Sequence, residues 1–134
     1  LATIGIFTVL AKMNDYSLEG FNGLGKKDPL TAASLTIFFL SLAGIPLTGG
    51  FLAKLFMIKA ALSYATWLGI VAVLMAVVSV YYYFRVIQSI HFREDSQTES
   101  VTISRSLSLL LLAIAALIIW LGINPESIFS LLYF

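Results

Sequence analysis

Charged side chains are bunched along this chain, and long apolar stretches run between the bunches. No acidic or basic residue lies between Asp28 and Lys54, between Lys59 and Arg85, or between Arg105 and Glu126. About 20 apolar residues in a helix cross a hydrocarbon core about 30 Å thick, and each stretch is long enough to do so. Residues 1–11 read as the end of a helix cut within an apolar run, so the chain reads as a fragment, and residues 12–28, rich in Gly, Asn and Lys, as a polar loop. Asp28-Pro29 then opens a helix: an aspartate accepts from the first free backbone N–H groups, and proline fits the first turn. A straight helix from Pro29 to Thr66 would be about 57 Å long at about 1.5 Å per residue, too long for one crossing. Gly44, Pro46, Gly49 and Gly50 supply a break, which predicts spans over 29–44 and 47–66, joined by a short turn as antiparallel neighbours. Further spans are predicted over 67–90, with Trp67 and Tyr81 to Tyr83 toward opposite interfaces, and over 104–121. A hydrophilic loop holding Arg93, Glu94, Asp95 and Glu99 separates them, and a short terminal helix over 125–133 follows.

The fold class is therefore all-α, a polytopic transmembrane helix bundle of one partial and four complete spans forming a single membrane-embedded unit. Composition agrees, with 60% hydrophobic and 11% charged residues and a mean hydropathy of +0.98, where soluble domains carry roughly 25% charged residues. A net charge of +1 points to no nucleic-acid partner and no acidic tail. The absence of cysteine excludes disulfides, iron–sulfur clusters and cysteine-ligated metals within this chain, and the single histidine makes no metal or haem site alone. Lys12, Lys26 and Lys27 on one side balance Arg93 and Arg105 on the other, so basic residues do not set the orientation.

All seven acids fall in connecting segments or near the C-terminus, which leaves Lys54, Lys59 and Arg85 as the charges at membrane depth. An ionisable group there is costly and marks function by default. Lys54 lies mid-span, and its neighbours at helical spacing, Gly50, Phe51, Met57, Ile58 and Ala61, offer nothing to neutralise it. Burial of an amine favours its neutral form, the property a proton relay uses, and interrupted helices mark ion pathways. A carboxylate or lysine partner is expected from outside these residues. Lys59 projects about 140° away from Lys54 at about 100° per residue and is expected to snorkel to the interface. Arg85, beside three tyrosines, reads as an interfacial anchor. Histidine is the side chain suited to proton exchange under physiological conditions, and His91, at a span edge, is with Lys59 a secondary candidate for proton transfer. Thr36, Ser41, Thr48 and Ser79 can line a hydrated path or, more commonly, bond between helices. Gly49-Gly50 lacks the spacing of a phosphate-binding loop.

The run Leu42-Ala43-Gly44-Ile45-Pro46-Leu47-Thr48-Gly49-Gly50-Phe51-Leu52-Ala53-Lys54, with Gly23-Leu24, the Pro29 helix start, Phe38 to Leu42 and Tyr81-Tyr82-Tyr83-Phe84-Arg85-Val86, resembles the antiporter-like membrane subunits of respiratory complex I. The resemblance covers essentially the whole chain and about the last third of such a subunit. In sister subunit M a glutamate stands at the place of Lys54, and subunit L continues into a long lateral helix, so the likeness favours the subunit N type. The family usually has a second proline where this chain has Leu47, which predicts a softer break.

The resemblance implies that Lys54 is the terminal member of a buried charge chain, passing protons through lysine and water. Coupling would be to electron transfer in other subunits, so this chain would carry no cofactor and no redox chemistry. NADH, flavin, iron–sulfur clusters and quinone would belong to partner subunits. Partners would be the other membrane subunits and the lipid bilayer. The expected location is the bacterial cytoplasmic membrane, with mitochondrial inner and thylakoid membranes as alternatives. Two other functions stay open: a subunit of a multisubunit sodium/proton antiporter or membrane-bound hydrogenase, and a structural membrane scaffold without ion transfer.

Overall fold

The computed structural model describes residues 1–13, 17–93 and 103–126, which are helical nearly throughout. The helices are α1 (Ala2–Leu10), α2 (Leu24–Lys27), α3 (Pro29–Ala43), α4 (Gly49–Tyr64), α5 (Thr66–Phe92) and α6 (Arg105–Ile123), with a 3₁₀ turn at Glu19–Phe21. That turn and α2 fold much of the segment expected as an open loop. The acids Glu94, Asp95 and Glu99 lie outside the described residues, as does almost all of the terminal helix expected over 125–133.

Asp28 starts α3 as its sequence predicts. One carboxylate oxygen accepts from the Thr31 backbone N–H at 3.2 Å, and the other from the Thr31 hydroxyl at 2.6 Å. Ser108 of α6 joins them, its hydroxyl 2.9 Å from Thr31 Oγ1 and 3.3 Å from the same carboxylate oxygen. With the Thr31 proton committed to Asp28, the Ser108 hydroxyl is the donor. The cap thus fastens the start of α3 to α6, with Thr31 and Ser108 both buried.

α3 ends at Gly44, whose φ of 81° is left-handed and glycine-suited. The Gly44 N–H reaches Leu40 and Ser41 carbonyls, and the Ile45 N–H returns to Leu40 O at 3.1 Å, the pattern of a helix closed by a left-handed residue. Three residues later Leu47 also has a positive φ, 78°, at a cost of roughly 1–2 kcal/mol for a residue with a Cβ. Leu47, where the resembled family usually has a second proline, takes a conformation that proline, fixed near −65°, does not adopt.

The two halves around this break are not antiparallel neighbours. Along α5, Leu62 of α4 packs at Gly69, Lys54 meets Ser79, Phe39 of α3 meets Tyr83, and Thr36 meets His91. Falling numbers on α3 and α4 pair with rising numbers on α5, so both halves run antiparallel to α5 and point the same way. Among the described residues they form one interrupted element alongside α5 and α6, and the expected pair of antiparallel spans over 29–44 and 47–66 does not form. Length gives the reason. The 15 residues of α3 and 16 of α4 reach only about 22 and 24 Å at about 1.5 Å per residue, each short of the core, whereas the 27-residue α5 reaches about 40 Å. Among the described residues, α5 and α6 alone are long and apolar enough to cross a membrane singly.

α6 runs parallel to α3 and braces the break. Ser108 lies at the start of α3, and Gly122 lies against the backbone of Leu47 and Thr48, where an added Cβ would approach Thr48 C to 2.6 Å. The core gathers under α1, α3 and α6, with Val9, Leu35, Phe38 and Leu111 fully buried. α4 buries none of its residues, and the outer face of α5, including Trp67, Val77 and Tyr81, is exposed.

Two substitutions test this frame. Gly50 packs so closely on the Ser41 carbonyl that a Cβ has no room, so Gly50→Ala is expected to lower stability by about 1–3 kcal/mol, read as a lower thermal midpoint of the membrane-extracted protein. Asp28→Ala removes a cap worth about 1 kcal/mol, so amide exchange at Thr31 is expected to quicken about fivefold; Asp28→Asn, which keeps an acceptor, should stay close to the parent rate.

Candidate functional site at the helix break

Lys54 projects from the second turn of α4 back toward the end of α3. Close approach of the two half-helices makes this possible: the Gly50 N–H donates to Ser41 Oγ at 3.3 Å, and the aliphatic stem of Lys54 crosses Gly44, where a Cβ would lie 2.8 Å from Lys54 Cδ. Gly44 therefore serves twice, as the left-handed terminus of α3 and as the floor under the lysine stem.

The half-buried ammonium donates to Ala43 O at 3.1 Å and to Ser79 Oγ at 3.0 Å. The Tyr83 ring centroid is 6.0 Å from Nζ, at the outer reach of a cation–π contact. Ala43 is the last residue of α3, and its carbonyl belongs to the negative end of the helix dipole. The neighbours on α4 are as apolar as their spacing predicts, but the polar contacts come from α3 and α5. Hydrogen bonds to a charged group contribute about 1.5–3 kcal/mol, so two such bonds and a helix end hold the cation without a carboxylate among the described residues.

The register that places Ser79 here was available in the chain. α4 and α5 turn at the single extended residue Ala65, so position 54, eleven before the turn (65 − 54), lies level with position 76, eleven after it (65 + 11). Ser79 is about one helical turn further.

The other candidates stand elsewhere. Lys59 is exposed one to two turns along α4. Its carbonyl accepts from Ser63 Oγ at 3.0 Å, and its side chain does not join Lys54. Arg85 is exposed on α5. His91, expected at the start of a loop, lies within the last turn of α5. Its Nε2 is 2.8 Å from Thr36 Oγ1, and because Thr36 donates its own proton to Ala32 O at 2.7 Å, Nε2 is the donor. His91 thus ties α5 to α3 about 18 Å along α5 from Ser79 (91 − 79 residues at about 1.5 Å each). Of the hydroxyl residues, Ser41 and Thr48 serve the break, Thr48 donating to Ile45 O at 2.8 Å, while Thr36 and Ser79 bridge helices. Among the described residues no cluster of His, Asp or Glu could hold a metal ion.

The chain is similar in sequence and fold to known proteins. The family model described as NADH:quinone oxidoreductase/Mrp antiporter, TM matches residues 1–79. NADH-quinone oxidoreductase subunit N 2 of Koribacter versatilis is 43% identical over 115 residues, covering 83% of this chain and 23% of that protein. Subunit N 1 of the same enzyme from Thermodesulfovibrio yellowstonii is 34% identical over 126 residues, covering 93% and 28%. F(420)H(2) dehydrogenase subunit N of Methanosarcina mazei is 36% identical over 116 residues, covering 85% and 24%. The chain thus spans about a quarter of the length of these relatives. In the structure of respiratory complex I from Thermus thermophilus with bound Aureothin, one chain matches with a TM-score of 0.84 at 28% identity, covering 93% of this chain and 30% of that one. The sequence match, the fold and the apolar helices agree: this chain is an integral membrane protein of the NADH:quinone oxidoreductase/Mrp antiporter family, similar within it to subunit N.

Proposed function

We propose that this chain is the C-terminal part of a proton-translocating, antiporter-like subunit of an NADH:quinone oxidoreductase, and that Lys54 is its proton-carrying group. The observation that carries this reading is the ammonium held at the end of α3 by Ala43 O and Ser79 Oγ. Half-helix ends facing a cation at membrane depth are the arrangement by which membrane proteins bind and pass ions.

An ammonium carries three N–H bonds. Two point to Ala43 and Ser79, and the third is the proton that water accepts, leaving a neutral amine and a hydronium ion. Reloading reverses the step. The negative end of α3 stabilises the charged form, while the apolar surroundings penalise it, so a nearby change in charge or in the separation of α3 and α4 moves the balance. Redox chemistry takes place in partner subunits, which hold NADH, flavin, iron–sulfur clusters and quinone, and the complex sits in the bacterial cytoplasmic membrane. Likeness to F(420)H(2) dehydrogenase subunit N supports a second reading, in which the same proton path serves a complex with a different electron donor.

Lys54→Ala and Lys54→Arg in the intact complex test the assignment, with quinone reduction and proton pumping measured separately. Arginine keeps the charge but does not release its proton in proteins. Both variants are therefore expected to pump about tenfold or more slowly, equivalent to about 1.4 kcal/mol or more. Full pumping by Lys54→Ala would leave Lys54 a structural residue, and full pumping by Lys54→Arg alone would make it a fixed charge.

A further inference from the structure

We infer that Ser79 is the positioning residue that keeps the Lys54 amine at the helix break in both of its protonation states. The inference rests on Lys54 as proton carrier and adds the group that serves it.

Among the described residues three groups face Nζ, and they differ in what they can do when the proton leaves. The Ala43 carbonyl only accepts, so it holds one N–H of the ammonium or of the amine alike. The Tyr83 ring face attracts only a cation. A serine hydroxyl both donates and accepts. In the charged state its proton is directed to Ala76 O at 2.7 Å, while its oxygen accepts from Nζ at 3.0 Å. Loss of the third proton from Lys54 to water leaves a lone pair on Nζ, and rotation about the Cε–Nζ bond turns that lone pair toward Ser79 Oγ while one N–H stays on Ala43 O. Rotation about the Ser79 Cβ–Oγ bond then turns the hydroxyl proton from Ala76 O to Nζ. No heavy atom moves, because 3.0 Å suits O–H···N as well as N–H···O. Ala76 O keeps its main-chain partner one turn along α5, so the rotation leaves no buried carbonyl unpaired.

At this half-buried position a neutral amine whose lone pair finds no donor at the break is better satisfied by water away from it. The lysine stem would swing toward water in the neutral state. With Ser79 present, the amine stays where the next proton is delivered. Ser79 exchanges no proton itself in this scheme; it changes only the direction of its own hydroxyl.

The test uses membranes containing the intact complex with Ser79→Ala, Ser79→Thr, Ser79→Val and, as reference, Lys54→Ala, measuring proton pumping beside quinone reduction. Threonine and valine share a shape and differ in the hydroxyl. Ser79→Thr is expected to pump within about twofold of the parent, and Ser79→Ala and Ser79→Val about tenfold more slowly, the scale of one lost hydrogen bond to a charged group. If Ser79→Ala does not accumulate, the threonine and valine pair decides. Parent-level pumping by the valine variant beside a deficient Lys54→Ala would overturn the role of Ser79 alone, as would a threonine variant no better than valine. Normal pumping by Lys54→Ala would instead overturn the proton-carrier reading on which it depends.

Discussion

The need to satisfy a broken helix in apolar surroundings organises this molecule. A helix end leaves carbonyls without partners, and the membrane interior offers no bulk water to take them. At the end of α3, Gly44 and Ile45 return to Leu40 and Ser41, the Gly50 N–H finds Ser41 Oγ, and Ala43 O is taken by Lys54. Charge and interruption therefore support one another. Without the break the lysine would have no helix end to meet, and without the lysine the last carbonyl of α3 would lose its partner. The glycines follow from this: Gly44 and Gly50 bring the half-helices close enough to share these groups, and Gly122 lets α6 lie against the connecting backbone.

Much of the helix layout was legible because charge and apolar length are local properties. Charge-free stretches located the helices to within a few residues, Asp28-Pro29 located the start of α3, and Gly44 with Pro46 located the interruption. The direction of α4 was not legible, because it depends on the sum of backbone angles across Ile45 to Thr48, including a left-handed leucine that no propensity predicts. The lengths of the two halves, each too short to cross alone, were the overlooked clue. Lys54 stood out as a charge in an apolar run, but its partners lie on other helices, and the facing registers appear only once α5 is set antiparallel to both halves. Ser108 was hidden for the same reason, and Thr36, expected to bond between helices, did not reveal His91 as its partner, since each acts through a residue tens of positions away.

The burial pattern is lopsided in a way that fits a chain about a quarter the length of its relatives. α3 is surrounded by α1, α5 and α6, whereas α4 buries no residue and α5 leaves Trp67, Val77 and Tyr81 uncovered. The half-buried ammonium belongs to this thinly covered side. Its contacts among the described residues are a carbonyl, a hydroxyl and a ring, none of which carries a formal charge, so the site is electrostatically one-sided and responds to a charge that approaches it.

The long α5 also acts as a splint across the fracture. It is fastened to α3 near one end by His91 and Thr36 and to α4 near its middle by Ser79 and Lys54, while its other end folds directly into α4 at Ala65. Pulling the half-helices apart along their common axis would strain one of these fastenings. Pivoting α4 about the Ala65 corner strains the contacts at the break, those of Lys54 and the Gly50–Ser41 bond beside them. A displacement of α4 about that corner would therefore open the break at the lysine, so mechanical displacement and the environment of the charge share a single coordinate.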